Sequence, residues 1–171
     1  MTQSIGATFE REHREIDDAV LAAAEAIVDP IDRQQLSEAV HALRRHIYAE
    51  EELMFPALRD AGLVGPVLVM LREHAEMWML LDTLDELIAS DDDSADALRD
   101  ACARLLDLLQ RHNAKEEAIL YPQVDVVLDS GAASVLRELL VGGALPVGWR
   151  CQHALIDRRA VADSQESSSH V

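Results

Sequence analysis

Apolar residues recur at three- and four-residue intervals through four long stretches of the chain, the spacing of a single buried stripe on an α-helix. Ile5, Phe9, His13, Ile16, Val20, Ala24 and Ile27 form the first stripe and predict a helix over about residues 4–28. Asp29-Pro30 ends it, because proline lacks the N–H and pushes its predecessor out of helical geometry. Ala39, Leu43, His46, Glu50, Leu53 and Ala57 form the second stripe, over about 32–60, with Asp32 as N-cap and Ala61-Gly62 as the stop. Pro56 is expected to kink or loosen its last turn. Met70, His74, Met77, Leu81, Leu84 and Ile88 carry the third from Gly65-Pro66 to the turn at 90–94. Leu98, Cys102, Leu105, Leu109, His112, Glu116 and Ile119 carry the fourth from Ser94, its N-cap, to Tyr121. Short connections between four such helices predict an all-α fold, an antiparallel up-down four-helix bundle over residues 1–125.

Beyond it the pattern shortens. Val135, Leu136, Leu139 and Leu140 predict a short amphipathic helix between Ser130-Gly131 and Gly142-Gly143, and Cys151 to Ala162 a last one after an irregular stretch around Pro146, Gly148 and Trp149. Residues 126–162 are thus expected to be a C-terminal helical extension packed on the bundle. The Ser-rich stretch 163–171 is expected to be a disordered tail, which leaves His170 out of the ligand set.

Composition narrows the classes of function. At 171 residues with 49% hydrophobic content the chain can fill one core, and Ala, Leu, Glu and Arg favour helix nearly throughout. The net charge of −17 opposes nucleic acid and anionic membrane surfaces as partners. The longest nearly apolar run, Gly62 to Leu71, is too short to span a bilayer. A soluble cytoplasmic protein is expected, and two unpaired cysteines, Cys102 and Cys151, suit a reducing compartment. Cys102 falls on the fourth stripe as a small core residue, and Cys151-Gln-His153 is read as structural.

The chemistry lies in the polar residues that interrupt the stripes. His46-x-x-x-Glu50, closed by Phe55-Pro56, returns as His112-x-x-x-Glu116, closed by Tyr121-Pro122. A histidine and a carboxylate four residues apart lie one above the other on a helix and can face one ion. Arg11-Glu-His13-Arg-Glu-Ile16 matches Arg72-Glu-His74-Ala-Glu-Met77, so the chain reads as two related hairpins. Counted from the turns at ~1.5 Å per residue, His13 and His46 share one layer, and His74 and His112 agree to about 3 Å. Four histidines and two carboxylates in the middle of a bundle are costly to desolvate, and a metal centre is the simplest compensation. Such a donor set suits iron or manganese, and spacing alone does not exclude zinc. Glu10-x-x-His13 and Glu38-x-x-His41 fit a ferritin-like motif but fall on successive helices, the wrong order for that arrangement, and are read as chance.

Over about residues 5–125 these motifs resemble the hemerythrin-like, or HHE cation-binding, domains, whose pattern is His, His-x-x-x-Glu, His, His-x-x-x-Glu/Asp on four helices. The resemblance implies two non-haem iron ions, with His13, His46, His74 and His112 as terminal ligands and Glu50 and Glu116 as bridging carboxylates. Oxygen carriers of the family have a second histidine one turn away on the third helix, where this chain has Met70 and Trp78. They also place the last carboxylate where Glu117 stands, whereas the internal repeat favours Glu116. The four-His, two-Glu set is similar to members linked to iron–sulfur repair, nitric oxide or peroxide chemistry, and iron sensing. The leading expectation is a di-iron protein that binds and reacts with dioxygen, peroxide or nitric oxide. An iron- or oxygen-responsive sensor or interaction module, and a di-iron oxidase or oxygenase acting on a small organic metabolite, are the alternatives. The sequence leaves the substrate, the redox partner and the oligomeric state open.

Overall fold

The structure, a computed structural model, describes residues 4–26, 30–90 and 94–154. The expected helix after Cys151 and the tail at 163–171 fall on or beyond residue 155 and lie outside the described residues. Among the described residues the fold is built from five helices. They are α1 (Ile5–Glu25), α2 (Arg33–Ala49, resumed as Phe55–Asp60), α3 (Val64–Ala89), α4 (Ala95–Lys115, resumed as Tyr121–Val127) and α5 (Ser130–Gly142). Each of α1 to α4 packs on its two neighbours around a ring, α1 against α2 and α4, α3 against α2 and α4, and α5 lies on α1 and α2. Among the described residues no helix is long and apolar enough to cross a membrane.

The helix ends follow local chemistry. Ser4 Oγ accepts from Ala7 N, while Asp125 on α4 accepts from the free amides of Ile5 and Gly6, fixing the start of α1 to the far end of α4. Asp32 caps α2 as expected, at 3.0 Å from Gln35 N. Ser94 does not cap α4 with its side chain. Its hydroxyl accepts instead from Arg33, whose guanidinium also takes the last carbonyls of α3 at Leu87, Ile88 and Ser90. One arginine thus closes the end of the bundle where the two hairpins turn.

Both His-x-x-x-Glu helices contain a π turn that begins at the glutamate, Glu50–Met54 in α2 and Glu116–Leu120 in α4. The turn explains why Pro56 and Pro122 interrupt neither helix: the wider spacing already skips a carbonyl, so the missing proline N–H leaves little further unpaired. Phe55 N–H and Tyr121 N–H reach back five residues, to the carbonyls of Glu50 and Glu116. As a result α4 continues to Val127 rather than ending at Tyr121.

The extra residue rotates everything after it. Leu53 and Ala57, expected on the inner stripe, are only half-buried, and their places are taken by Met54, Phe55 and Leu58. Ile119, expected inward, is 45% exposed, while Leu120 and Tyr121 are buried. The packed side chains fall into two apolar clusters. One, built on Leu36, Leu43, Leu81, Leu98 and Leu105, fills the turn end of the bundle. The other, built on Phe9, Met54, Phe55, Met70 and Leu120, fills the end covered by α5.

The shifted register predicts a reversal of the order read from the sequence. Met54→Ala should cost about 2–5 kcal/mol of unfolding free energy, as for a fully buried side chain, and Leu53→Ala distinctly less, measured by chemical denaturation. Equal losses would contradict the π turn.

Candidate metal centre

A polar layer separates the two apolar clusters. His13, His46, His74, His112, Glu50 and Glu116 lie in it, each no more than 3% exposed. All six candidate residues come together. His13, His46, Glu50 and Glu116 offer ligand atoms within 4.8 Å of one another, and Glu50, His74, His112 and Glu116 do the same. Glu50 turns Oε1 to His46 (3.3 Å) and Oε2 to His74 (3.2 Å). Glu116 turns Oε2 to His13 (3.4 Å) and Oε1 to His112 (3.1 Å). Each carboxylate thus addresses both halves of the layer.

The outer nitrogen of every one of these histidines meets a second carboxylate. His46 Nδ1 stands 2.8 Å from Glu12, His74 Nδ1 2.9 Å from Glu51, His112 Nδ1 3.0 Å from Glu73 and His13 Nδ1 3.1 Å from Glu117. An ionised carboxylate only accepts, so each Nδ1 carries its hydrogen and each neutral ring points the Nε2 lone pair inward. The arrangement obeys the internal repeat. Glu12 and Glu73 precede His13 and His74 and serve the histidine of the next helix, while Glu51 and Glu117 follow Glu50 and Glu116 and serve the opposite hairpin. Arg45 pairs with Glu12, and Lys115 with Glu73.

Acceptors therefore face acceptors. His13 Nε2 and His46 Nε2 are 3.0 Å apart, and Glu50 Oε2, His74 Nε2 and Glu116 Oε1 are buried without a hydrogen-bond partner. Such a layer requires a cation, either protons or metal, and the residues fit a metal. In the metal-free protein protons answer the demand. Burial opposes the charged ring of His112, yet Glu116 and Glu73 outweigh it and raise the pKa to about 9. Burial likewise opposes charge on His46 and His74, and their carboxylate partners still push both upward. Burial and the neighbouring Glu116 disfavour the Glu50 anion, but His46 and His74 hold it down at about 2.

Tyr121 also enters the layer and was not among the residues singled out as ligands. Its hydroxyl lies 2.8 Å from Glu50, 3.1 Å from Glu116, 2.9 Å from His13 Nε2 and 3.2 Å from His46 Nε2. The π turn swings it inward, and Gly6 lets α1 approach: a Cβ there would meet the Tyr121 carbonyl at 3.1 Å. At the matching position Phe55 stacks on His74 with rings 13° from parallel. The signal for Tyr121 was the Tyr-Pro closing the second motif. For the outer carboxylates it was the repeated Glu-His and Glu-Glu doublets. Glu116 rather than Glu117 joins the converging atoms. His41 is exposed, and His41, Cys102, Cys151 and His153 stand in neither group.

Fold and site together define a helical-bundle protein that binds metal through buried imidazoles and carboxylates. The sequence model of the hemerythrin HHE cation-binding domain matches residues 4–124, and the chain belongs to that family. No curated protein and no solved structure gives a significant match.

Protons and metal compete for this layer, which sets a pH dependence. His112 is raised from 6.5 to about 9, so in the metal-free protein its stabilisation is full below pH 6.5 and lost as pH rises through 9. Glu50 is lowered from 4.5 to about 2, so its stabilisation is full above 4.5 and lost as pH falls toward 2. The melting temperature of metal-free protein should peak between these limits. Bound metal replaces the protons and should abolish the alkaline decline. Thermal unfolding across pH with and without metal checks both.

Proposed function

We propose that this chain is a non-haem di-iron protein that binds and reacts with dioxygen, peroxide or nitric oxide. On this reading His13 and His46 would hold one ion and His74 and His112 the other, with Glu50 and Glu116 shared between them. The observation that carries the reading is that both carboxylates belong to both four-residue groups. Charge supports it: six carboxylates, those of Glu12, Glu50, Glu51, Glu73, Glu116 and Glu117, stand against the Arg45 and Lys115 cations, leaving four formal negative charges for two divalent ions. Imidazole with carboxylate suits iron, in keeping with the family.

Iron held by these residues would supply electron-transfer chemistry toward a small molecule. The protein's own part is to bind, orient and dry. The outer carboxylates fix the four rings with Nε2 inward. The apolar clusters on either side keep the layer at low dielectric. Tyr121 holds a proton between Glu50 and Glu116. Met70 and Trp78, buried a turn either side of His74, supply no fifth histidine, which favours reaction over simple carriage. The acidic surface directs the protein to a small molecule rather than to nucleic acid or an anionic membrane, and the free cysteines suit the cytoplasm.

Purified protein should contain two irons per chain. Reduced anaerobically and exposed separately to dioxygen, peroxide and nitric oxide, it should change its optical spectrum with at least one of them. His74→Ala should lose about one iron, and Glu50→Ala both. Protein without iron, or His74→Ala unchanged in iron content and spectrum, would sink the reading.

The need for a cation in the core favours a second reading, an iron-responsive module whose bundle is ordered by occupancy. Catalytic consumption of peroxide or nitric oxide by the isolated protein would decide against it.

A further inference from the structure

The residues beyond α5 lie outside the stretch matched by the family, which ends at 124. Gly143 to Ala154 leave α5 and cross the outside of α2 and α3 as a strap. Trp149 packs edge-on against Trp78 and Tyr48, with ring centroids at 5.4 and 5.0 Å, and its indole N–H donates to Glu52. Arg150 pairs with Asp82 and lies over the Trp78 ring. Cys151 and Ala154 are buried in the apolar cluster at the turn end. Between them the main-chain N–H of Gln152 donates to Glu51 Oε2 at 2.8 Å. The other oxygen of Glu51 accepts from His74 Nδ1.

Among the described residues the opposite half has no such cover. Glu117, which the repeat pairs with Glu51, has a side chain 39% exposed, whereas that of Glu51 is fully buried. A buried carboxylate with one oxygen on a histidine needs a donor for the second, and the strap supplies it from the main chain.

We infer that the strap is a positioning element for one half of the centre: Gln152 N–H fixes Glu51, Glu51 fixes the His74 ring, and the two metal positions are thereby made inequivalent. This rests on the di-iron reading. The strap reaches the His74–His112 position, and the His13–His46 position is independent of it. Glu51 and the Gln152 amide are positioning residues, acting through His74.

Gln152→Pro removes the amide hydrogen, and Gln152→Ala keeps it. In an anaerobic iron(II) titration, Gln152→Pro should weaken one of the two irons by about 10–100-fold, the usual cost of losing such an outer contact, and leave the other unchanged. Gln152→Ala should match wild type. With His74 already replaced by Ala, adding Gln152→Pro should leave the remaining iron unaffected, because the coupling runs through His74. Glu51→Gln tests the same link without touching the strap backbone and should weaken the same iron. Independently of metal, nitrogen-15 NMR of labelled histidines in the metal-free protein should show the His74 signals moved by Gln152→Pro and those of His13 not. Equal weakening of both irons, or an unmoved His74 signal in folded Gln152→Pro or Glu51→Gln protein, would overturn the inference. If the wild type binds no iron, the di-iron reading fails, and the His74 signal still decides the role of the strap.

Discussion

The structure depends on a convergence of acceptors. Four imidazole lone pairs and two carboxylates meet in one buried layer, and nothing among them donates except the Tyr121 hydroxyl. Without positive charge this layer would drive the helices apart, so the candidate metal centre is also the site that requires a cation for the fold to close. The rest of the bundle can be read as its setting. The outer carboxylates decide which nitrogen faces inward, and the two apolar clusters supply the burial that sets the bundle's packing at either end. Arg45 and Lys115 keep the outer carboxylates from adding their full charge to a layer already rich in it.

The division of the chain into helices, and the six residues of the layer, were legible because both follow from spacing along one helix. A histidine on an apolar seam, followed by a glutamate four residues later, declares its direction without reference to any other element. The turns fixed the heights, and the internal repeat supplied the pairing of hairpins. The second half of α2 and of α4 was not legible. Straight α-helical counting carries the seam through Leu53 and Ile119, and the π turn moves it to Met54 and Leu120. Only the prolines hinted at the change, and a proline signals an irregularity without giving its size or sense.

The outer carboxylates escaped the sequence for a different reason. Glu12 and Glu73 serve histidines on the following helix, and Glu51 and Glu117 serve histidines in the other hairpin. Each lies beside a seam residue, about 100° around the helix, where a chain this acidic places many glutamates that meet only solvent. What separates these four from the others is which helix stands opposite, and that is a property of packing.

The repeat makes the two halves of the site alike, and three departures from it make them different. Tyr121 brings a hydroxyl against His13 and His46, where its counterpart Phe55 brings only a ring face to His74. Glu51 is buried under the strap, where Glu117 meets solvent. The strap itself has no counterpart within the described residues. On the di-iron reading these differences fall on opposite sides: the hydroxyl proton lies with one ion and the rigid, dry support with the other. A symmetric pair of ions would treat a small molecule alike from either side. On that reading the asymmetry would give it a direction, with a proton held at one end and a fixed imidazole at the other, on a scaffold whose repeat supplies the ligands of both halves.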